Sequence, residues 1–344
     1  MMGGIKMKKK ALFGLLSGVL SVSIVLSGCS STNSASGKQN KDPGYPTKQI
    51  EVIVPFAAGG GTDLTARAMS EYLSEEWGKS VVVVNKPGAG GATGTQEVLK
   101  QGSKDGYSVL VQSVSAVSAL YAGNTNLPFS VEDQQFLAKM TGEPLAYVVS
   151  ADAPFKNINE LNEWVKKNPD KFTFASNGPT AIGTFGTIQW MDSIGADFSK
   201  ARLVATNGSG DALPKVAGGH ITLAVQGVSE VSNLTKAGKL KILGIAAPER
   251  SPFFPDVPTM EEQGVKDIDV SLWYGASAPA GTPDYVVKKW ETTINKMVKD
   301  PKFLEKLDSI NVRPDYMNAD DFTKSVEEET KDYTEIAKEK GLVK

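Results

Sequence analysis

The sequence predicts an α/β protein of two lobes joined by a hinge of crossing strands. Short, β-branched apolar runs alternate with amphipathic helical stretches, a spacing typical of βαβ units and a parallel sheet. Small polar residues follow four of these runs, at 56–63, 176–180, 206–211 and 226–227. Ligands of open parallel sheets bind beyond the carboxyl ends of the strands. We therefore expect these loops to face each other across a cleft that closes over a ligand.

The first strand leads into a glycine-rich turn and the start of a helix. Ile50–Val54 is apolar and β-branched, and three glycines separate it from Thr62 and Asp63. Backbone N–H groups at a helix start and the helix dipole together favour an anion. The same glycines would also suit a tight strand-to-helix connection. Asp63 is either a ligand contact or a helix cap, and Arg67, one turn later, either pairs with it or binds an anion.

A second glycine-rich loop, at 85–94, follows a run of four valines at 81–84. The valine run is the pattern of a strand covered on both faces. The loop lacks the GK[ST] ending of a P-loop, and Thr93 stands where a dinucleotide loop requires its last glycine. We therefore do not expect a nucleotide at this loop.

The later elements continue the alternation of strands and helices. A helix is expected to begin with Thr282 as its N-cap and Pro283 at its first position. The predicted cleft divides the chain into lobe 1, residues 45–145 plus 271–344, and lobe 2, residues 146–270. Further strands are predicted at 107–111, 145–149, 172–175, 202–205, 221–225, 240–246 and 270–276.

Composition excludes several classes of function. The 344 residues have a formal net charge of −2, and no basic run lies beyond the N-terminus, so nucleic acid is not an expected partner. A single histidine, His220, argues against a histidine-built metal site or a Ser-His-Asp triad. No nucleophile motif or catalytic carboxylate pair is evident. We expect a binding protein without metal or cofactor, and an anchored enzyme on the same scaffold stays as an alternative.

The N-terminus predicts the compartment. Lysines precede the apolar stretch 11–26, which is the organisation of a signal peptide over residues 1–28. This stretch ends in Leu-Ser-Gly-Cys, which resembles a bacterial lipobox, so Cys29 would be lipidated. Residues 29–44 are small and polar and would form a flexible tether to the outer face of the cell membrane. The alternative, a transmembrane anchor with an incidental cysteine, is disfavoured by the shortness of the apolar stretch.

Ordered landmarks from Tyr45 to the C-terminus resemble one family, the extracytoplasmic solute receptors of tripartite tricarboxylate transporters (Bug or TctC receptors). Each motif alone is weak, but their order behind a lipobox is specific. The landmarks are Tyr45-Pro46, the segment 55–63 with Arg67, the segment 83–91, Asp105-Gly106-Tyr107, Ala237-Gly238-Lys239, Val257-Pro258-Thr259 and the segment 278–283.

The resemblance implies a class II periplasmic-binding-protein fold, or Venus flytrap, acting as a monomer. It also implies capture of a small carboxylate and its delivery to the two integral-membrane permease subunits of the transporter. A sensory co-receptor that signals to a membrane kinase is the alternative. The ligand residues that the resemblance implies are Phe56, Ala57, Gly59, Gly60, Thr62 and Asp63 in lobe 1, and Ser176, Asn177, Gly178, Thr180, Thr184, Asn207, Gly208, Ser209 and Gln226 in lobe 2.

Lobe 2 departs from the usual family pattern. Pro179 follows Gly178 where the family has a glycine-rich turn, and Thr184-Phe185 replaces a common His-Leu. Asn207 stands near a position that is often aromatic. These replacements make the pocket more hydrogen-bonding, and we expect a polar di- or tricarboxylate rather than an aromatic acid.

Overall fold

The computed structural model describes residues 42–124, 126–268 and 270–343. The predicted signal peptide, Cys29 and residues 29–41 of the predicted tether lie outside the described residues. The strands are β1 (Ile50–Val54), β2 (Val81–Asn85), β3 (Ser108–Ser113), β4 (Gln134–Ser150), β5 (Thr173–Ser176), β6 (Arg202–Ala205), β7 (Leu223–Gly227), β8 (Leu240–Ala246), β9 (Ser271–Pro279) and β10 (Arg313–Met317). The α-helices are α1 (Gly61–Trp77), α2 (Ala92–Gln96), α3 (Ser118–Gly123), α4 (Ile158–Lys167), α5 (Ile182–Ser193), α6 (Ser209–Ala217), α7 (Val228–Lys236), α8 (Asp284–Met297), α9 (Pro301–Ser309) and α10 (Ala319–Glu339).

The strands follow the order β2-β1-β3-β9-β4-β7-β5-β6, and both β8 and β10 pair with β4. Strand β1 is parallel to β2 and β3, and β5 is parallel to β6 and β7. Each parallel group is a βαβ arrangement, with its carboxyl strand ends at one edge. This confirms the two-lobed α/β fold. We call the side with β1, β2 and β3 lobe 1, and the side with β5, β6 and β7 lobe 2.

Strand β4 joins the two lobes. Its residues up to Pro144 pair with β9, whereas those from Leu145 onward pair with β7 and β8. Strand β9 runs antiparallel beside the first part of β4 and also pairs with β3. The crossing strands therefore form the hinge that the sequence predicts. The exact bounds of the lobes, at 145 and 271, stay a prediction.

Each lobe has a buried apolar core. Helix α8 contributes Val286, Trp290, Ile294 and Met297 to the core of lobe 1, as its four-residue spacing predicts. Burying one such side chain contributes about 1.5–3 kcal/mol.

The C-terminal helix packs against lobe 2 as well. Tyr333 of α10 stacks on Phe185 of α5 with ring centroids 4.5 Å apart. Lys340, just beyond α10, forms an ion pair of 2.7 Å with Asp192 in α5. Helix α10 therefore reaches α5 from a segment that the sequence assigns to lobe 1.

Two local predictions were wrong. Strand β2 is an edge strand that pairs only with β1 in the described part of the chain, and Val82 is 36% exposed. A β-branched run alone therefore did not distinguish an edge strand from a covered one. The N-cap of α8 is Pro283 rather than Thr282, whose hydroxyl donates instead to the carbonyl of Pro279.

The boundaries of α1 agree with its sequence. Gly78 ends the helix in the left-handed conformation, as expected of a C-terminal glycine. In the described part of the chain, none of the helices combines the length and apolar character that crossing a membrane needs.

Candidate functional site

The loops after five strands meet at one small cavity between the lobes. Strands β1 and β3 supply its lobe 1 side, and β5, β6 and β7 supply its lobe 2 side. The site therefore lies beyond the carboxyl ends of parallel strands, where this class of sheet binds ligands. Its lining consists of Phe56, Ala57, Gly60, Thr62, Ser113, Ser115, Asn177, Ile182, Gly208, Ser209, Gln226, Glu230 and Leu272.

The lining includes eight of the fifteen ligand residues that the sequence predicts: Phe56, Ala57, Gly60, Thr62, Asn177, Gly208, Ser209 and Gln226. The other seven lie outside it. These are Gly59, Asp63, Ser176, Gly178, Thr180, Thr184 and Asn207. Their contact with a ligand stays a prediction.

Asp63 shapes the first loop through its own hydrogen bonds. Its carboxylate accepts from the backbone of Gly59 at 2.9 Å, from Asn85 at 3.0 Å and from Arg67 at 3.0 Å. Arg67 therefore pairs with Asp63, one of the two roles that the sequence allows. Burial alone would raise the pKa of Asp63, but the bonds from Arg67, Gly59 and Asn85 hold it below its ordinary value. These bonds hold Gly59 in its positive-φ conformation.

Gly60 and Gly61 allow lobe 2 to approach the start of α1. A Cβ on Gly60 would lie 2.7 Å from the hydroxyl of Ser209, and a Cβ on Gly61 would overlap the hydroxyl of Tyr274. Gly60 is the N-cap of α1 and offers no side chain to cap the first turn. The N–H of Gly61 in that turn donates across the cleft to Glu230, so a carboxylate already occupies a backbone donor at this helix start.

In lobe 2, the hydroxyl groups of Ser176 and Thr184 form hydrogen bonds that stabilise the loop after β5. Thr184 donates to the hydroxyl of Ser176 at 2.8 Å and to the carbonyl of Gly178 at 2.7 Å. These side chains fix the backbone on which Asn177 is carried. The side-chain oxygen of Asn177 is buried and has no hydrogen-bond partner among the described residues.

The loop after β6 contacts lobe 1 through its backbone. The carbonyl of Asn207 accepts from the N–H of Ala57 at 3.1 Å, whereas the residue as a whole is exposed. The N–H of Asn207 bonds to Asp211. Selection of a ligand by the Asn207 side chain, which the sequence predicts, therefore has no contact in the cavity to support it.

The lobes are closed on each other. Among the described residues, three hydrogen bonds cross the cleft beside the cavity, from Ala57 to Asn207, from Gly61 to Glu230 and from Ile182 to Ser115. The cavity that remains between them has a volume of about 20 Å³. This is room for about one water molecule. A solute of any size can enter only when the lobes separate.

Glu230 is the one charged side chain on the cavity within the described part of the chain. It lies in the first turn of α7, and its Oε1 accepts from the N–H of Gly61 at 3.2 Å and from the hydroxyl of Ser209 at 2.7 Å. Its Oε2 accepts from the N–H of Gly227 at 2.9 Å. Burial raises the pKa of Glu230, and the three hydrogen bonds oppose this rise.

Five lining residues were missed by the sequence-based prediction: Ser113, Ser115, Ile182, Glu230 and Leu272. The two serines follow strand β3, and the rule of carboxyl strand ends could have identified them. An acid in the first turn after Gly227 usually serves as a helix cap, so the role of Glu230 was hidden. Leu272 reaches the cavity from the hinge, which no local pattern indicates.

Two α/β lobes, a hinge of crossing strands and a cavity lined by small polar residues define the class of two-lobed solute-binding proteins. A profile of the family described as "Tripartite tricarboxylate transporter family receptor" matches residues 65–342. The chain belongs to this family, which confirms the resemblance seen in the sequence.

Individual relatives support the same assignment. A UPF0065 protein of Agrobacterium vitis is 32% identical over 272 residues, which cover 78% of this chain and 77% of that one. The structure of the periplasmic binding protein BugD is 30% identical with a TM-score of 0.80, and the match covers 87% of this chain and 99% of that one. A structure described as a periplasmic transporter is 32% identical with a TM-score of 0.81, over 87% of this chain and 99% of that one.

Proposed function

We propose that the protein is a lipid-anchored extracytoplasmic receptor that captures a small carboxylate solute without chemical turnover. It delivers the solute to the integral-membrane permease subunits of a tripartite tricarboxylate transporter. The receptor acts as a monomer, held at the outer face of the cell membrane by a lipid on Cys29. Membership of the receptor family and the signal-peptide pattern of the sequence support this assignment.

One observation supports a carboxylate as the solute's anchoring group. The start of α1 already holds a carboxylate, that of Glu230, which accepts hydrogen bonds from Gly61 and Ser209. Backbone N–H groups at a helix start stabilise negative charge through their orientation and the helix dipole. The group that binds there in this structure has the same chemistry as the group proposed for the solute.

Opening and closing of the lobes about the hinge allow the receptor to capture the solute. When the lobes separate, the N–H of Gly61 and that of Ala57 lose their partners in lobe 2 and can receive the solute carboxylate. Closure then brings the hydroxyl of Ser209 and the side chains of Asn177 and Gln226 onto the remainder of the solute. Water is excluded, so each hydrogen bond in the closed site becomes stronger than it would be in solution.

A binding screen tests the proposal directly. The purified protein is titrated with mono-, di- and tricarboxylates, and binding is followed by the rise in melting temperature and by calorimetry. A solute at 100 times its Kd should stabilise the protein by about 2.7 kcal/mol. Mass spectrometry of solute that copurifies gives an independent identification. A screen in which no carboxylate raises the melting temperature, while a hydrolase substrate is turned over, would falsify the proposal.

Delivery requires a separate test in cells. Deletion of the gene should abolish uptake of the labelled solute, and a plasmid copy should restore uptake. Unchanged uptake, combined with loss of a transcriptional response to the solute, would instead support the sensory role.

A further inference from the structure

Glu230 brings to the ligand cavity a carboxyl group held by three hydrogen-bond donors, an arrangement that suits its ionised form. In the described part of the chain, the lining contains no lysine, arginine or histidine. Arg67, which stands near the first loop, is already bound to Asp63 and Asn85. An anionic solute therefore meets a carboxylate without a compensating cation from the protein.

The hydrogen bonds of Glu230 show which lobe it belongs to. Its bonds to Ser209 and Gly227 lie within lobe 2, and only the bond to Gly61 crosses the cleft. When the lobes separate, Glu230 stays with lobe 2 and its Oε1 loses one donor. The N–H of Gly61 is released at the same moment and becomes available to the solute carboxylate.

Re-closure places the solute between these two groups. The solute carboxylate occupies the N–H of Gly61, and Oε1 of Glu230 faces it from the opposite lobe. Two carboxylates at this distance repel each other in a site that excludes water. The repulsion is removed only when the solute itself supplies a cation or a strong hydrogen-bond donor for Glu230.

A second acceptor, the side-chain oxygen of Asn177, also favours a solute that carries a hydrogen-bond donor. The side-chain oxygen of Asn177 lines the cavity, is buried and has no partner among the described residues. Buried acceptors without a donor are costly, so a ligand that brings a donor gains affinity. Glu230 and Asn177 each supply an acceptor oxygen to the lobe 2 side of the cavity. An ammonium group, with three N–H donors and a positive charge, suits such acceptors.

We propose that the solute is a carboxylate bearing an ammonium group, a zwitterion of the amino-acid type, and that Glu230 is the residue that selects it. The inference rests on the proposed function and narrows its ligand class. It adds an ammonium group to the prediction from sequence, which was a polar di- or tricarboxylate rather than an aromatic acid. Glu230 binds the ammonium group, while Gly61 and its neighbours bind the carboxylate.

Matched pairs of solutes test the inference. Aspartate is compared with succinate, glutamate with glutarate, and alanine with propionate, by calorimetry on the full folded receptor. In at least one pair, the amino member should bind about tenfold more tightly or better. In Glu230→Gln this preference should fall to about twofold or less. Glu327→Gln, which removes an exposed carboxylate on α10, is the charge-matched control and should keep the preference.

Three results would overturn the inference. The first is equal binding of the two members of every pair by the wild-type protein. The second is an unchanged preference in Glu230→Gln. The third is a Glu230→Ala variant that binds both members of a pair more tightly with an unchanged ratio, because Glu230 would then only compete for the carboxylate site.

A different set of results would contradict the proposed function itself. If no carboxylate in the wider screen binds, the carboxylate receptor itself is contradicted, and the inference falls with it. If in every pair the solute without an amino group binds as well as its amino partner, the receptor stands and only the ammonium inference is lost. Circular dichroism and the melting temperature of each variant separate loss of folding from loss of binding.

Discussion

The carboxylate of Glu143 accepts a hydrogen bond of 2.8 Å from the hydroxyl of Tyr274, and this bond joins the two strands of the hinge. Its second oxygen accepts from the N–H of Ser229 at 2.6 Å, which adds helix α7 to the same contact. Burial raises the pKa of Glu143 to about 8, and the nearby charge of Glu230 adds to the rise. The hinge is therefore built around a carboxyl group that favours its protonated form.

The stability of the protein should fall as the pH rises from about 5 to about 8. An unfolded chain releases the Glu143 proton near pH 4.3, whereas the folded chain keeps it until about pH 8. In this interval the folded state binds more protons, so the free energy of unfolding decreases with pH, by at most on the order of 1 kcal/mol per pH unit. Urea denaturation at a series of pH values measures this slope.

Glu143→Gln should flatten the pH dependence. In the protonated acid one oxygen carries the proton and donates to the hydroxyl of Tyr274, which reverses that bond. The amide imitates this form, since its nitrogen donates to Tyr274 and its oxygen accepts from Ser229. Glu327→Gln, on the exposed face of α10, should keep the wild-type slope. Equal slopes for the wild-type protein and Glu143→Gln would show that Glu143 does not hold its proton in the folded protein.

Gly60→Ala should weaken the binding of every solute by about tenfold or more. The added Cβ would lie 2.7 Å from the hydroxyl of Ser209 and would keep the lobes from closing fully. The backbone of Gly60 has a φ of −83°, which alanine adopts without strain. Calorimetry should show the loss of affinity, while the melting temperature of the solute-free protein changes by about 2 °C or less.

A double variant tests the cause of that loss. Ser209→Ala removes the oxygen that the new Cβ approaches, and it also removes one hydrogen bond to Glu230. The affinity of the double variant Gly60→Ala, Ser209→Ala for the solute should therefore fall by less than the product of the fold-losses measured in the two single variants. Strict additivity would contradict the proposed collision across the cleft.

Asp63→Ala should destabilise the fold and weaken solute binding together. The substitution leaves the N–H of Gly59 and the side chains of Arg67 and Asn85 without their acceptor. Because Arg67 is half exposed, the expected cost is about 1–3 kcal/mol, that of leaving buried hydrogen-bond donors without their acceptor. Chemical denaturation measures the cost, and calorimetry measures the affinity. A loss of affinity with full stability would instead favour direct contact between Asp63 and the solute.

Cys29→Ser should release the receptor from the membrane. Without the thiol no lipid can be attached, and the tether then has nothing that holds it at the surface. Fractionation of cells should move the protein from the membrane pellet to the soluble fraction, and incorporation of labelled fatty acid should be lost. Ser31→Ala, two residues further on, is the control and should remain in the pellet. Persistent membrane association of Cys29→Ser would favour a transmembrane anchor.

The sequence predicted the regular parts of the fold well. Strands β1, β6 and β8 begin and end at the predicted residues, because each is a short apolar run bounded by glycine, proline or polar residues. Gly60 and Thr62 of the glycine-rich turn line the cavity, and their contact with a solute stays a prediction. These features depend on neighbours in the chain, which a local pattern contains.

The hinge was harder to predict, because its residues depend on distant partners. Strand β4 begins at Gln134, well before the predicted start at 145. Lys139 and Glu143 lie in the part of the strand that was not predicted, and both are buried there. Lys139 pairs with Asp315 of β10, and Glu143 bonds to Ser229 and Tyr274. No local periodicity reveals a charge that is satisfied by a residue far away in the sequence.

The bond between Gly61 and Glu230 also bears on how tightly the receptor binds its cargo. An empty molecule that closes on its own side chain is withdrawn from the binding-competent population. The measured Kd is then the intrinsic constant divided by the open fraction, so closure for nine-tenths of the time weakens binding by about tenfold. The strength of this internal contact therefore sets part of the measured affinity, in addition to the contacts that Gly61 and Glu230 make with the cargo.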